Sequence, residues 1–249
     1  MGKLDGRVAI VTGGGTGIGK GITKAFAQEG CCVVIAARNA GRLEQAAREL
    51  SGLPGEVAAM PADVTDEAAV QRLFDDALAR FGRLDILVNN AGIVEGGHLD
   101  ELTLGSFRRV LEVNVVGPFL CTRAAFRIMK KQGGGRIINI GSIAATRPRQ
   151  QSAPYTASKC AVWGLTMCTA LEGRDLGISC GQIDPGNTAV ERVVSRDGRT
   201  LLGRDGTIEP LMPVDNIANA VLYMASLPPD ATALQMIVMP IKQRYVGRG

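Results

Sequence analysis

The sequence has no dense run of basic residues, although its 28 lysines and arginines outnumber its 24 aspartates and glutamates. The net charge of +4 is spread along the 249 residues, and no known nucleic-acid-binding motif is present. Because binding to a phosphate backbone needs a basic stripe or patch, we expect no nucleic acid partner.

Metal-binding and redox motifs are also missing. The six cysteines show no CxxC spacing, so we expect no metal site and free thiols packed as small apolar side chains in a reducing compartment. The single histidine, His98, lies in a glycine-flanked loop, where we expect a surface residue rather than a catalytic one.

Long apolar runs are absent as well. No stretch approaches the roughly 20 apolar residues that a membrane-spanning helix needs. The first six residues are polar and lack the apolar segment of a signal peptide. We therefore expect a cytoplasmic protein without a membrane partner. Its composition, 46% hydrophobic and 21% charged, is that of a chain with a sizeable core.

Buried strand patterns alternate with amphipathic helix patterns along the whole chain. The predicted strands are residues 8–11, 32–37, 56–60, 84–88, 136–140, 178–183 and 234–239. Strands that are apolar on both faces and separated by helices predict a parallel sheet covered by helices on both sides. Right-handed crossovers then give a doubly wound, seven-stranded, Rossmann-like α/β fold, which we expect to form a single domain over residues 1–249.

Two details of the helices are also predicted. The longest helix pattern covers residues 103–131, and Pro118 removes a backbone hydrogen bond from it. We therefore expect a kink near Asn114. After the third strand, we expect Thr65 to cap the next helix.

A glycine-rich loop, residues 12–19, joins the first strand to the first helix. Glycines allow a tight turn and the close approach of a pyrophosphate, and the helix N-terminus offers free amides and a positive dipole end. The alternative is a merely flexible turn, but the position between the first strand and the first helix favours a dinucleotide site.

The end of the second strand bears on the choice of dinucleotide. An acidic residue there binds the ribose hydroxyls of NAD, whereas this chain has Ala37 followed by Arg38. A guanidinium suits a 2′-phosphate, so we expect NADP(H) to be preferred and NAD(H) to remain possible. The alternative for Arg38 is a solvated surface charge.

Tyr155 and Lys159 are four residues apart at the start of a predicted helix, which places both side chains on one face. An ammonium beside a tyrosine favours the phenolate, so the phenol can exchange a proton with a carbonyl or an alcohol. Ser142 follows the fifth strand, and its hydroxyl can hold the substrate oxygen. Alone, this tyrosine–lysine pattern is weak.

The order of the motifs is more specific than any one of them. The glycine loop is followed by Asn89-Asn90-Ala91-Gly92, Asn114, Ser142, Tyr155 and Lys159. In this order and spacing the chain resembles the short-chain dehydrogenase/reductase family over nearly its whole length. The family's usual glycine-rich C-terminal ending is absent, because the last strand runs into residues 239–243, so the packing of the tail stays open.

The resemblance implies a set of cofactor-binding positions. These are Gly13, Thr16, Gly17, Ile18, Gly19, Asp63, Val64, Asn90, Ala91, Gly92, Pro185, Gly186 and Thr188. It implies that Asp63 accepts from the adenine amino group, that residues 90–92 lie beside the adenine ribose, and that Pro185, Gly186 and Thr188 position the nicotinamide carboxamide. Asp63 can also be a turn residue, and the two roles are compatible.

The resemblance also implies the catalytic set Ser142, Tyr155, Lys159 and Asn114. Tyr155 and Lys159 would in addition contact the cofactor, Lys159 through the nicotinamide ribose, and Asn114 would support a water that leads protons to the lysine. The expected function is interconversion of a carbonyl and a secondary alcohol by hydride transfer, on a small-molecule substrate that the sequence leaves open. The alternative is a catalytically silent NADP(H)-binding regulator or scaffold.

Residues 160–171 carry no charge and only two clearly polar side chains, Thr166 and Thr169. A helix that is apolar nearly all round is buried on both sides, so a second copy of the chain can cover the face that the sheet does not. We expect a homodimer from this pattern, and the resemblance extends the expectation to a homotetramer.

Overall fold

Seven parallel strands form the central sheet of the computed structural model, which describes residues 2–191, 201–202 and 208–245. In chain order the strands are β1 (Val8–Thr12), β2 (Cys32–Ala37), β3 (Val57–Pro61), β4 (Ile86–Asn89), β5 (Gly135–Ile140), β6 (Ile178–Pro185), β7 (Leu201–Leu202), β8 (Ile208–Glu209) and β9 (Gln235–Val238). The sheet order is β3-β2-β1-β4-β5-β6-β9, while β7 and β8 form a separate antiparallel pair. The predicted doubly wound, seven-stranded parallel sheet is therefore confirmed.

Helices connect the strands and cover both faces of the sheet. They are α1 (Gly17–Gln28), α2 (Ala40–Glu49), α3 (Glu67–Phe81), α4 (Leu104–Leu111), α5 (Gly117–Gln132), α6 (Ala153–Gly173) and α7 (Val214–Ser226). No helix among the described residues is both long and apolar enough to cross a bilayer.

The strand β1 shows how the sheet serves two cores. Ala9 and Val11 pack into one buried cluster with Phe26 of α1, whereas Ile10 packs into another with Phe74 of α3. Successive strand residues point to opposite faces, so a run of apolar residues is buried on both sides. Complete burial of a valine, isoleucine or phenylalanine side chain such as Val11, Ile10 or Phe26 contributes about 1.5–3 kcal/mol.

The long helix that the sequence predicts is interrupted near Asn114. Between α4 and α5, Glu112–Val116 form a π-helical turn in which the N–H of Gly117 donates to the carbonyl of Glu112. Pro118 has no N–H to donate to the carbonyl four residues before it. The kink is thus a π turn, a distortion that occurs often at functional sites.

The predicted cap of α3 was wrong by one residue. Asp66 is the N-cap, since its Oδ1 accepts from the N–H groups of Ala68 and Ala69. Thr65 instead donates its N–H and hydroxyl to Asp63 Oδ1, at 3.0 and 2.8 Å. Asp63, Thr65 and Asp66 are all residue types that cap helices. Because the Thr65 side chain bonds to Asp63, it does not accept from the first turn of α3.

Three of the six cysteines are buried, two are exposed, and Cys32 is partly buried. Burial raises the pKa of the Cys121 and Cys180 thiols to about 12, and Cys31 is buried as well. The expectation of packed thiols was wrong for Cys160 and Cys168, which are exposed on α6.

Candidate active site

The candidate site lies at the carboxyl ends of β1, β4, β5 and β6. The strand order reverses between β1 and β4, and ligands of such sheets bind in the crevice that this reversal leaves. The glycine loop after β1 has its backbone in conformations that favour glycine. Gly13 and Gly17 have φ values of +66° and +50°. At Gly19 a Cβ would lie 2.2 Å from the carbonyl oxygen of Gly13, so this crossing of loop and helix requires glycine.

Side chains from β1 and from the segment after β4 hold this loop. The Thr12 hydroxyl oxygen accepts from the N–H groups of Asn90 and Ala91, both at 3.0 Å. The Asn90 amide donates to the carbonyls of Thr12 and Gly13, at 2.9 and 3.2 Å. Asn90 and Ala91 thus lie at the glycine loop, and the Asn90 side chain supports its backbone.

The N-terminus of α1 is open to an anion. The N-cap residue Thr16 makes no side-chain cap, and the first turn contains no acidic residue. The N–H of Gly17 donates instead to the carboxylate of Glu191, 3.1 Å away. A backbone that only glycine fills, together with an amide that already binds a carboxylate and no cap from Thr16, fits the pyrophosphate of a dinucleotide. Ile18 belongs to the same turn and packs partly against the core.

Arg38 and Asp63 follow β2 and β3, the two strands on the β1 side of the sheet. Arg38 is exposed, and Asp63 is half-buried. Burial acts to raise the pKa of the Asp63 carboxyl, but the two hydrogen bonds from Thr65 and the nearby charge of Arg38 together hold this pKa below its usual value. Asp63 is therefore a carboxylate, able to accept a hydrogen bond. Val64 is buried close to Gly117 at the start of α5.

Asn114, in the π turn, joins two parts of the site. Its Oδ1 accepts from the N–H of Ile93, and its Nδ2 donates to the Ile93 carbonyl and to the Ser158 hydroxyl, at 2.8, 2.9 and 3.0 Å. A Cβ on Gly92 would lie 3.2 Å from the same Oδ1. This buried amide therefore ties the segment after β4 to α6.

Two of the predicted catalytic side chains, Tyr155 and Lys159, lie together, and Lys159 contacts the end of β5 just before Ser142. Lys159 Nζ lies 5.6 Å from the centre of the Tyr155 ring and donates to the carbonyl of Ile140, 2.7 Å away. Ser142 follows two residues later, and its Oγ accepts from the N–H of Ala144 at 3.1 Å. The hydroxyl has one proton and two lone pairs, so it can still donate its proton while one lone pair accepts from the Ala144 N–H.

The segment after β6 packs against the chain's own C-terminal tail. Gln243 Oε1 accepts from the N–H of Asn187 at 2.9 Å, and a Cβ on Gly186 would lie 2.4 Å from that oxygen. Pro185 is buried, and the buried Thr188 donates to the carbonyl of Gly186 at 3.0 Å. In place of the glycine-rich ending that the family usually has, this chain has a tail in which Gln243 binds the segment after β6.

Two acidic residues of the site were not foreseen. Asp184, the last residue before Pro185-Gly186, accepts from the N–H of Ser142 at 2.9 Å, and Glu191 contacts Gly17 as described above. For Asp184, the sequence signal is an acidic residue between Ile183 and Pro185 at the end of a buried strand. His98, by contrast, is exposed, as expected.

The fold and the site define a Rossmann-like α/β protein with a glycine loop shaped for a dinucleotide and a tyrosine–lysine pair that contacts the end of the strand leading to Ser142. The sequence profile of the family described as short chain dehydrogenase matches residues 7–198. L-fucose dehydrogenase of Bos taurus is 37% identical over 246 residues, covering 95% of this chain and 89% of that protein.

Solved structures agree with this similarity. An alcohol dehydrogenase from the archaeon Thermococcus sibiricus, complexed with 5-hydroxy-NADP, has a TM-score of 0.83 at 28% identity, with 97% of this chain and 99% of that chain covered. A 3-ketoacyl-(acyl-carrier-protein) reductase from Brucella melitensis, complexed with NADH, has a TM-score of 0.83 at 32% identity, with 94% and 97% covered. The chain belongs to the short-chain dehydrogenase family and is an oxidoreductase acting on CH–OH or C=O groups.

Proposed function

We propose that the protein interconverts a carbonyl and a secondary alcohol, with NADP(H) as its preferred cofactor. The observation that supports the proposal is that Lys159 lies near the Tyr155 ring and contacts Ile140 at the end of β5, two residues before Ser142, at the same edge of the sheet as a glycine loop that fits a dinucleotide. When bound, the nicotinamide supplies or accepts the hydride.

The chain's own residues bind the substrate oxygen and transfer its proton. The Ser142 hydroxyl, whose oxygen accepts from the Ala144 N–H while its proton stays available, donates to the substrate oxygen. Tyr155 gives its proton to that oxygen in reduction and takes it back in oxidation. The buried ammonium of Lys159 stabilises the phenolate that Tyr155 becomes. Asn114 holds the surrounding backbone in place and, by resemblance, supports a water that leads protons to Lys159.

The class of cofactor and the choice between NADP(H) and NAD(H) rest on different observations. Structural neighbours with NADP or NADH support a nicotinamide dinucleotide. The preference for NADP(H) is our inference from Arg38, whose exposed guanidinium is free of a described ion-pair partner within 4 Å and can bind a 2′-phosphate. NAD(H) remains the second candidate cofactor.

The remaining site residues enter the proposal as cofactor contacts. Asp63 would accept from the adenine amino group, and residues 90–92 would lie beside the adenine ribose. Pro185, Gly186 and Thr188 would position the nicotinamide carboxamide. The lowered pKa of Asp63 supports the first of these roles, because an ionised carboxylate acts only as an acceptor.

We also propose that the chain forms a homodimer or homotetramer. The outer face of α6 exposes Cys160, Cys168, Met167 and Leu171, the last two by 45% and 63%. Exposed apolar residues clustered on one helix support burial against a second copy. Cross-linking or light scattering tests this, and a monomer at micromolar concentration would contradict it.

The experiment for the main proposal is Tyr155→Phe, with Tyr223→Phe as the matched control because Tyr223 is exposed on α7. A panel of aldoses, secondary alcohols, cyclic ketones and 3-oxoacyl thioesters is followed by nicotinamide absorbance. Loss of general acid–base catalysis should lower kcat by about 100- to 10,000-fold, while fluorescence titration shows unchanged NADPH binding.

Two outcomes would oppose the proposal in different ways. Full activity of Tyr155→Phe would show that the tyrosine does not carry the proton. Tight NADPH binding by the unmodified protein with no turnover across the panel would favour a silent regulator or scaffold instead.

A further inference from the structure

Asp184 lies at the end of β6, directly beneath the loop that carries Ser142. It is only 3% exposed, and it forms no ion pair with any of the residues that the structure describes. Three N–H groups donate to its carboxylate: the Ser142 backbone and the Gln182 amide to Oδ1, at 2.9 and 2.7 Å, and the Gln235 amide to Oδ2, at 2.8 Å.

A buried carboxylate with no cation is unfavourable unless hydrogen bonds replace its water shell. If this position only filled space, an apolar side chain would avoid the loss of solvation. The surroundings are instead shaped around the charge, because a Cβ on Gly141 would lie 2.0 Å from Asp184 Oδ1. Gly141 and Asp184 are therefore a matched pair at the point where the chain leaves β5.

We propose that Asp184 is a positioning residue for Ser142: its carboxylate holds the Ser142 N–H and thereby sets where the serine hydroxyl meets the substrate oxygen. The inference rests on the proposed role of Ser142. The backbone of Ser142 is extended, with φ −170° and ψ 148°, and its hydroxyl caps the short helix that follows, Ile143–Ala145. The bond to Asp184 fixes the backbone N–H of Ser142, and the cap fixes its side-chain oxygen.

The same carboxylate connects the serine to the helix that carries the other two catalytic side chains. Gln182 Nε2 donates to Asp184, and Gln182 Oε1 lies 3.2 Å from the hydroxyl of Thr166 on α6. Thr166 lies seven residues after Lys159, two turns along α6. A displacement of Asp184 would therefore change the position of Ser142 relative to Tyr155 and Lys159.

The test compares Asp184→Asn with Asp184→Ala, using the substrate of the panel that is turned over fastest. Asparagine keeps an oxygen for the Ser142 N–H, and the exposed Gln235 can rotate its amide to match the new Nδ2. We expect kcat within about threefold of the unmodified protein for asparagine, and a loss of about 10- to 100-fold for alanine. NADPH binding should be unchanged in both.

A second readout does not depend on activity. Hydrogen–deuterium exchange of the peptide containing Ser142 should be faster in Asp184→Ala and unchanged in Asp184→Asn. Equal kcat losses in the two variants would overturn the proposal, because the charge rather than the acceptor would then matter. Unchanged exchange and unchanged kcat in Asp184→Ala would also overturn it.

A double-mutant cycle separates this inference from the proposed function. Ser142→Ala keeps the backbone N–H but removes the hydroxyl, so adding Asp184→Ala should cause no further loss of kcat. A multiplied loss would assign Asp184 a role independent of the serine and overturn the inference. Full activity of Ser142→Ala alone would overturn the proposed role of the serine itself.

Discussion

The loop after β1 and the loop after β5 end at the same edge of the sheet but keep their shapes by different means. The first depends on absent side chains, since Gly13 and Gly17 have positive φ and a Cβ at Gly19 would strike the backbone. The second depends on a present one, the carboxylate of Asp184. The first loop is therefore sensitive to added atoms, and the second to lost acceptors.

The largest effect that this comparison predicts is that of Gly19→Ala. The new Cβ would lie 2.2 Å from the Gly13 carbonyl and 2.5 Å from Asn90 Nδ2, so the loop must shift. We expect a loss of about 3 kcal/mol in unfolding free energy and weaker binding of NADPH and NADH alike. Urea unfolding and fluorescence titration measure the two effects.

Gly41→Ala is the matched control. A Cβ there meets only Asn39 Oδ1, at an ordinary 3.6 Å, so stability should be unchanged or slightly higher. Equal stability of both variants would show that the glycine loop tolerates added atoms, and the contrast between the two loops would fail.

Arg38→Asp tests the proposal that the Arg38 side chain determines the preference for NADP(H). A charge-assisted hydrogen bond to a phosphate contributes about 1.5–3 kcal/mol, so the Kd for NADPH should rise about 10- to 100-fold. The Kd for NADH should change little, with Arg42→Asp as the control. Equal affinity of the unmodified protein for NADPH and NADH would contradict the role of Arg38.

How far the sequence predicts this site depends on the range of the interactions. The bounds of β2 were predicted without error because buried apolar runs are local. The contact of Asp184 with Ser142 spans 42 residues, and no local pattern records it. The π turn was foreseen only as a kink near Asn114, because its spacing depends on the bonds of Asn114 to Ile93 and Ser158. The catalytic and cofactor roles remain predictions that the experiments above address.

Thr12→Val asks whether the loop after β1 also needs a side-chain acceptor. The variant keeps the shape of Thr12 but leaves the N–H groups of Asn90 and Ala91 without their shared oxygen. We expect a loss of about 1–3 kcal/mol in unfolding free energy, with Thr12→Ser close to the unmodified protein. An unaffected valine variant would mean that the glycines alone maintain the loop.

The smallest effect concerns Glu191, which reaches from the segment after β6 to the loop after β1. Its carboxylate accepts from Gly17 N at the dipole end of α1, where the pyrophosphate would bind, so cofactor binding must displace it. Glu191→Gln removes a charge worth about 0.3–1 kcal/mol at a helix end, so the Kd for NADPH should fall about two- to fivefold. Glu172→Gln, exposed on α6, should leave this Kd unchanged. A weaker affinity in Glu191→Gln would mean that the carboxylate supports the cofactor-bound loop instead of competing with the pyrophosphate for the same amide.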